Sequence, residues 1–274
     1  MGIVAAYAVP HPPLIVPAVG KGEQRAIQST IDAYEEVARR IAAHRPDTIV
    51  ITSPHAPFYR DCFFVAQGCS SAGDMSRFGV FDGAIFVDND EEVASEIIRC
   101  ARERGIPVAS DAGYSSELDH ATYVPLHFIQ PQWLSFRLVR LGLSLLPAET
   151  HRRLGAAIAH CIESLGRRCV FVASGDLSHK LKADGPYGFA PEGPHFDDEI
   201  CRIFADGQLD DLFGMDEGMC DAAAECGLRS FQVMAGALQG SQHTQELLSY
   251  EGPFGVGYGI AAFEVEGTCH VVRG

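Results

Sequence analysis

Ile3–Val9, Thr48–Thr52 and Cys169–Ala173 are short, largely apolar runs, and each stops at a loop that holds a histidine. A run this short and this apolar reads as a strand buried on both faces, the pattern of a parallel sheet covered by helices. Between and after these runs lie segments of helical spacing. Glu23–His44 places Ile27, Ile31, Tyr34, Val37, Ala38 and Ile41 on one face. Glu91–Arg104 is a second helix, with Gly105 suited to its C-terminal cap. Ala148–Leu165, Phe196–Ala205 and Cys220–Leu238 complete the predicted helices. Phe63–Gln67, Gly83–Val87, Pro107–Ser110, Leu134–Leu141, Glu246–Tyr250 and Val256–Glu266 read as further strands, with a Gly/Ser-rich stretch at Gly68–Gly73. Asp119–Gln130 mixes polar and apolar residues around Pro125 and reads as a surface loop leading into a strand. Lys180–His195, rich in Gly and Pro, reads as an ordered loop or lid. With no repeat, linker or break in composition, the expectation is a single α/β domain over residues 1–274. Its centre is a largely parallel or mixed sheet flanked by helices.

Composition narrows the function. Apolar residues are 47% and charged residues 21% of 274, which is globular. The 21 basic and 36 acidic residues leave a formal charge of −15. A chain this acidic lacks the electrostatic footprint for nucleic acid or an anionic membrane. No apolar run approaches the roughly 18 residues of a membrane span. Nine cysteines include no CxxC pair, and Met1–Pro10 has neither the basic start nor the cleavage site of a secretory signal. The expected setting is a reducing cytoplasm, with free thiols mostly buried.

The strand-end histidines are the candidate site. His11 follows Val9, His55 follows Thr52 and His179 follows Ala173. In open α/β sheets, ligands bind beyond the carboxyl ends of the strands. Pro10, Pro12 and Pro13 around His11, and Pro54 and Pro57 around His55, stiffen those loops. Asp119 can orient the adjacent His120, for which a functional role is favoured, and His127 stays open between function and packing. His44, His151, His160, His243 and His270 read as solvated. Ser174-Gly175-Asp176-Leu177-Ser178-His179 lacks G-x-S-x-G, which argues against a serine hydrolase. Glu225, among Ala222, Ala223, Ala224, Cys226 and Gly227, is out of place on an apolar helix unless something binds it. A helix-surface Glu accounts for it equally well. Cys226 reads as a buried thiol, with a nucleophile or a soft ligand as alternatives. Phe58, Tyr59, Phe189, Phe196 and Tyr258 either line an aromatic pocket or pack the core and loops.

Val9-Pro10-His11-Pro12-Pro13, Ser53-Pro54-His55, Asp119-His120, Val124-Pro125-Leu126, Ser174–His179 and Glu225 follow one another in a familiar order. On these residues the chain resembles the class III extradiol ring-cleavage dioxygenases of the LigB-like, protocatechuate 4,5-dioxygenase β-subunit type. Within that group it is most similar to the LigB-like domain of AmmeMemoRadiSam-group proteins, which are related to Memo-like proteins. The resemblance implies a non-haem Fe(II) site of His11, His55 and Glu225, with Zn or Mn as other candidates. Two histidines and a carboxylate leave positions open for a catechol and O2. It further implies that His179 and His120 are acid–base residues, supported by His127, Asp176 and Ser178. His179 would take the catechol proton and return it. The implied partners are a small aromatic substrate, O2 and a second copy of the chain in a homodimer. Two positions depart from the pattern. Asp176 stands where many members carry Gly, and would raise the pKa of His179. Pro54-His55-Ala56 stands where ring-cleaving members have Asp-His-Asn. These departures motivate a second reading, a Memo-like metal-binding protein that cleaves no ring and acts in redox or protein/RNA modification pathways. A zinc hydrolase is a third.

Overall fold

The computed structural model describes residues 1–110 and 116–267. In chain order its elements begin with β1 (Ile3–Val9), α1 (Pro17–Gly20), α2 (Gln28–His44), β2 (Thr48–Ser53), β3 (Phe63–Val65) and β4 (Ser70–Met75). Next come β5 (Val80–Asp88), α3 (Glu91–Glu103), β6 (Val108–Ala109), α4 (His120–Ile129), β7 (Arg137–Gly142) and α5 (Ala148–Ser164). The last are β8 (Cys169–Ser174), α6 (Glu192–Asp206), α7 (Glu217–Ala223), α8 (Leu228–Leu238), β9 (His243–Glu251) and β10 (Tyr258–Val265).

Eight strands form one mixed sheet in the order β6-β3-β7-β2-β8-β1-β10-β9. Its centre, β7-β2-β8-β1, is parallel throughout, and β10 and β9 extend it antiparallel. The period-two alternation of side chains builds two cores. Ala6, Ala8, Val50, Phe171 and Ala173 face Leu154 and Ile158 of α5 and Phe231 of α8. Tyr7, Ile49, Ile51, Val170 and Val172 face Tyr34, Val37 and Ile41 of α2 and Val124 of α4. Burial on both faces explains why the three apolar runs show no polar alternation. Among the described residues, no helix is long and apolar enough to cross a membrane.

Four segments differ from their sequence-based expectation. The first turn of the Glu23–His44 segment, Glu23–Ile27, is a 3-10 helix. The Gly/Ser-rich stretch contains β4, which pairs with β5 in a separate hairpin. Asp119–Gln130 is the buried helix α4, because the Asp119 side chain caps it by accepting from the amide of Thr122. Cys220–Leu238 is two helices, broken where Ala224 adopts a left-handed conformation (φ 53°). Three histidines expected in solvent are engaged, and of these His243 meets the Phe263 ring edge-on. His151 is fully buried against Phe63, and Nε2 of His44 lies 2.6 Å from a carboxylate oxygen of Glu264. His270 lies outside the described residues.

Candidate metal centre

The strands β2, β8 and β1 are neighbours and parallel, so their carboxyl ends open side by side. That placement brings together loops far apart in sequence. The hydroxyl of Tyr34 donates to the carbonyl of Pro10 and pins the first loop to α2. The amide of His11 donates to Oδ1 of Asp176 at 2.7 Å, tying the β1 loop to the β8 loop. In the β2 loop, Oγ of Ser53 accepts from the amides of His55 and Ala56 and donates to Asp119 at 2.6 Å.

The imidazoles converge as a result. Nε2 of His11 and Nε2 of His55 are 3.1 Å apart. The ring of His120, from the first turn of α4, sits 4.1 Å from that of His55 and 5.4 Å from that of His11, centroid to centroid. His179 follows β8, and its amide donates to the carbonyl of Ala223 at the end of α7. Its ring meets Tyr187 edge-on.

The break between α7 and α8 supplies the fourth side of the site. Glu225 caps α8, its Oε2 accepting from the amide of Leu228 at 2.7 Å. Cys226 comes next, with Sγ 3.7 Å from Nε2 of His11. The turn is held against the β8 loop, where the amide of Asp176 donates to Sγ of Cys226 at 3.3 Å. Donor atoms of His11, His55 and Cys226 lie within 4.8 Å of one another, as do those of Asp176, His179 and Cys226. Glu225 is in neither group. The sequence offers Cys226 as a soft ligand only as an alternative to a buried thiol, since spacing alone reads through the helix break that places it here.

Burial sets the electrostatics. It pushes the pKa values of His11, His55, His120 and His179 below the ordinary histidine value, that of His120 to about 4. Their proximity adds to this, because a proton on one repels a proton on the next. The four are neutral at pH 7 and able to accept protons or bind a cation. Asp176, also buried, is raised to about 7. The rise expected at His179 from Asp176 is not seen: His179 is lowered, with desolvation the largest cause. Burial likewise raises the Glu225 carboxyl and the Cys226 thiol.

The donors fit a divalent ion. Bonds of about 2.0–2.3 Å in a tetrahedron hold donor atoms roughly 3.3–3.8 Å apart, close to the separations seen here. Among the described residues, Nδ1 of His179 is buried without a hydrogen-bond partner, an unsatisfied donor or acceptor beside this group. Beside His55 and His120 lies a cavity of about 580 Å³, walled by Phe78 and Phe86 of the β4–β5 hairpin and floored by Asp119 and Arg140. Phe78 meets the His120 ring edge-on. Of the aromatic residues expected at a pocket, Phe196 and Tyr258 are core and Phe58 and Phe189 are exposed. His127 lies two turns along α4, between Tyr123 and Phe128. Ser178 is buried, its hydroxyl donating to the carbonyl of Ala223.

The chain is similar to several known proteins. Protein CA_C1420 of Clostridium acetobutylicum is 35% identical over 271 residues, covering 96% of this chain and 58% of that protein. A 2,3-dihydroxyphenylpropionate/2,3-dihydroxicinnamic acid 1,2-dioxygenase of a Mycobacterium species is 28% identical over 65% of this chain and 58% of its own length. The chain thus spans less than two thirds of these curated relatives. The crystal structure of an uncharacterized protein from Escherichia coli K12 shares the fold with a TM-score of 0.63 at 17% identity. The match covers 94% of this chain and 99% of that one. The model of the catalytic LigB subunit of aromatic ring-opening dioxygenase matches residues 5–261, and the chain belongs to that family.

Proposed function

We propose that this chain is an Fe(II)-dependent extradiol dioxygenase that opens the ring of a catechol-type substrate with O2. The ligands in this reading are His11, His55 and Glu225, and His179 and His120 handle protons. The observation that carries it is the cluster of four imidazoles at the carboxyl edge of the sheet, His11 buried and all four held below the ordinary histidine pKa by desolvation, beside a cavity of about 580 Å³. Family membership and relatives named as ring-cleaving dioxygenases support the reaction class. Metal, when bound, supplies a redox path between the electron-rich ring and dioxygen, whose direct reaction is spin-forbidden. The side chains do the rest. Phe78 and Phe86 offer apolar surface to an aromatic ring at His55 and His120. A neutral His179 accepts a catechol hydroxyl proton and later returns it. His120, held low by burial and by His55, would be a neutral hydrogen-bond partner for dioxygen in the site.

The test is oxygen uptake by anaerobically purified, Fe(II)-loaded protein on a panel of catechols, with iron measured in the same sample. Uptake matched by a yellow ring-opened product is expected. His55→Ala should lose both iron and turnover. His179→Ala should keep the iron and lose roughly 100- to 10,000-fold in rate. A fully active His55 variant would overturn the reading.

A second reading, a metal-binding relative that cleaves no ring, has one observation in its favour. Sγ of Cys226, rather than the Glu225 carboxylate, groups with the two histidines. A thiolate suits zinc, a metal without redox chemistry. Metal affinities of Glu225→Gln and Cys226→Ser separate the two readings. Loss in the first favours iron and ring cleavage, and loss in the second alone favours the thiolate site.

A further inference from the structure

We propose that Pro125 and Ser174 are positioning residues that dictate which nitrogen of His11 carries its proton, and so keep Nε2 bare toward the metal centre. α4 runs through Pro125. Proline has no amide proton, so the carbonyl four residues back has no partner within the helix. That carbonyl belongs to Ala121, and it accepts instead from Oγ of Ser174 at 2.6 Å. A hydroxyl has one proton to give. With that proton on Ala121, Oγ of Ser174 can only accept from Nδ1 of His11, 3.0 Å away. Nδ1 therefore carries the ring proton of neutral His11, and Nε2 presents a lone pair to Nε2 of His55 at 3.1 Å and Sγ of Cys226 at 3.7 Å.

The chain of bonds is sealed from water, as Ser174 and Ala121 are 0% exposed and His11 is 1% exposed. An ordinary residue at position 125 would bring an amide to compete for the Ala121 carbonyl. The Ser174 hydroxyl would then be free to donate to Nδ1, and the His11 proton would move to Nε2, where it blocks a cation. The Val124-Pro125-Leu126 motif thus acquires a role although Pro125 is in neither donor group. Holding a ligand's second nitrogen by a fixed acceptor is the general means of orienting metal-binding histidines.

The inference rests on His11 as a ligand and not on ring cleavage, so it is tested without turnover. Long-range ¹H–¹⁵N spectra of metal-free, histidine-labelled protein should show His11 protonated at Nδ1. Ser174→Ala should lose that preference and bind Zn(II) roughly 10- to 100-fold more weakly in competition with a chromophoric chelator. Ser174→Thr, which keeps the hydroxyl, should restore both. Pro125→Ala should shift the tautomer in the same direction as Ser174→Ala. A wild-type His11 protonated at Nε2, or a folded Ser174→Ala with wild-type Zn(II) affinity, would overturn the inference. Should Ser174→Ala fail to fold, Pro125→Ala decides it, and an unshifted His11 tautomer in that variant would overturn the inference.

Discussion

Asp119 joins three parts of the site through one carboxylate. It accepts from Ser53 of the β2 loop, from the amide and hydroxyl of Thr122 in α4, and from the guanidinium of Arg140 in β7 at 3.1 Å. The side chains of this ion pair are 9% and 1% exposed, so neither charge is easily hydrated once the other is gone. Asp119→Ala should therefore cost about 3–5 kcal/mol of stability, since it removes the carboxylate paired with a buried guanidinium. Asp119→Asn, which keeps an acceptor for Ser53 and Thr122, should cost less. Urea unfolding of the metal-free proteins measures both, and equal losses would show that the hydrogen bonds matter and the charge does not. Asp119 was legible as a partner of His120 only because the two are adjacent. Its grip on Arg140 was not, because β7 approaches it only in the folded sheet.

The break between α7 and α8 is where local pattern misled. Cys220–Leu238 carries continuous helical spacing, and neither Glu225 nor Cys226 breaks a helix by propensity. The break comes from contact with the β8 loop. Gly175 and Gly227 pass so closely that a Cβ on Gly175 would lie 2.2 Å from Cα of Gly227. Gly175→Ala should push the turn and Cys226 away from His11. Metal affinity should fall at least tenfold, with about 1–3 kcal/mol of overpacking strain. Isothermal titration with Zn(II) and a thermal melt read the two effects, and an unchanged affinity would remove Cys226 from the site. The β4–β5 hairpin went partly unseen for a related reason. Its Gly and Ser residues resemble a loop, and only pairing with β5 and the bridge from Ala72 to Glu117 make a strand of them.

For the molecule as a whole, buried ionisable groups tie stability to pH in two opposed ways. His151 is fully buried with its pKa lowered from 6.5 to about 4. Across that window the unfolded chain takes up a proton that the folded chain refuses, so stability falls as pH drops from 6.5 toward 4. Asp197, buried and raised from 3.8 to about 7, has the reverse sign: its stabilisation is lost as pH rises through that range. Melting temperatures of metal-free His151→Leu should show a shallower acid limb, and those of Asp197→Asn a flatter approach to neutrality. Unchanged slopes would sink these assignments. The sequence by itself determined the alternation of strand and helix, the doubly buried central strands and the strand-end histidines His11, His55 and His179. Each of these is written in local hydrophobic period and in proline placement. The order β2-β8-β1, which sets those three loops side by side, was decided only by tertiary structure. So were the desolvation that lowers the imidazole pKa values and the turn that offers Cys226. All three depend on contacts between residues far apart in the chain, and no local pattern encodes which distant backbone will press against which.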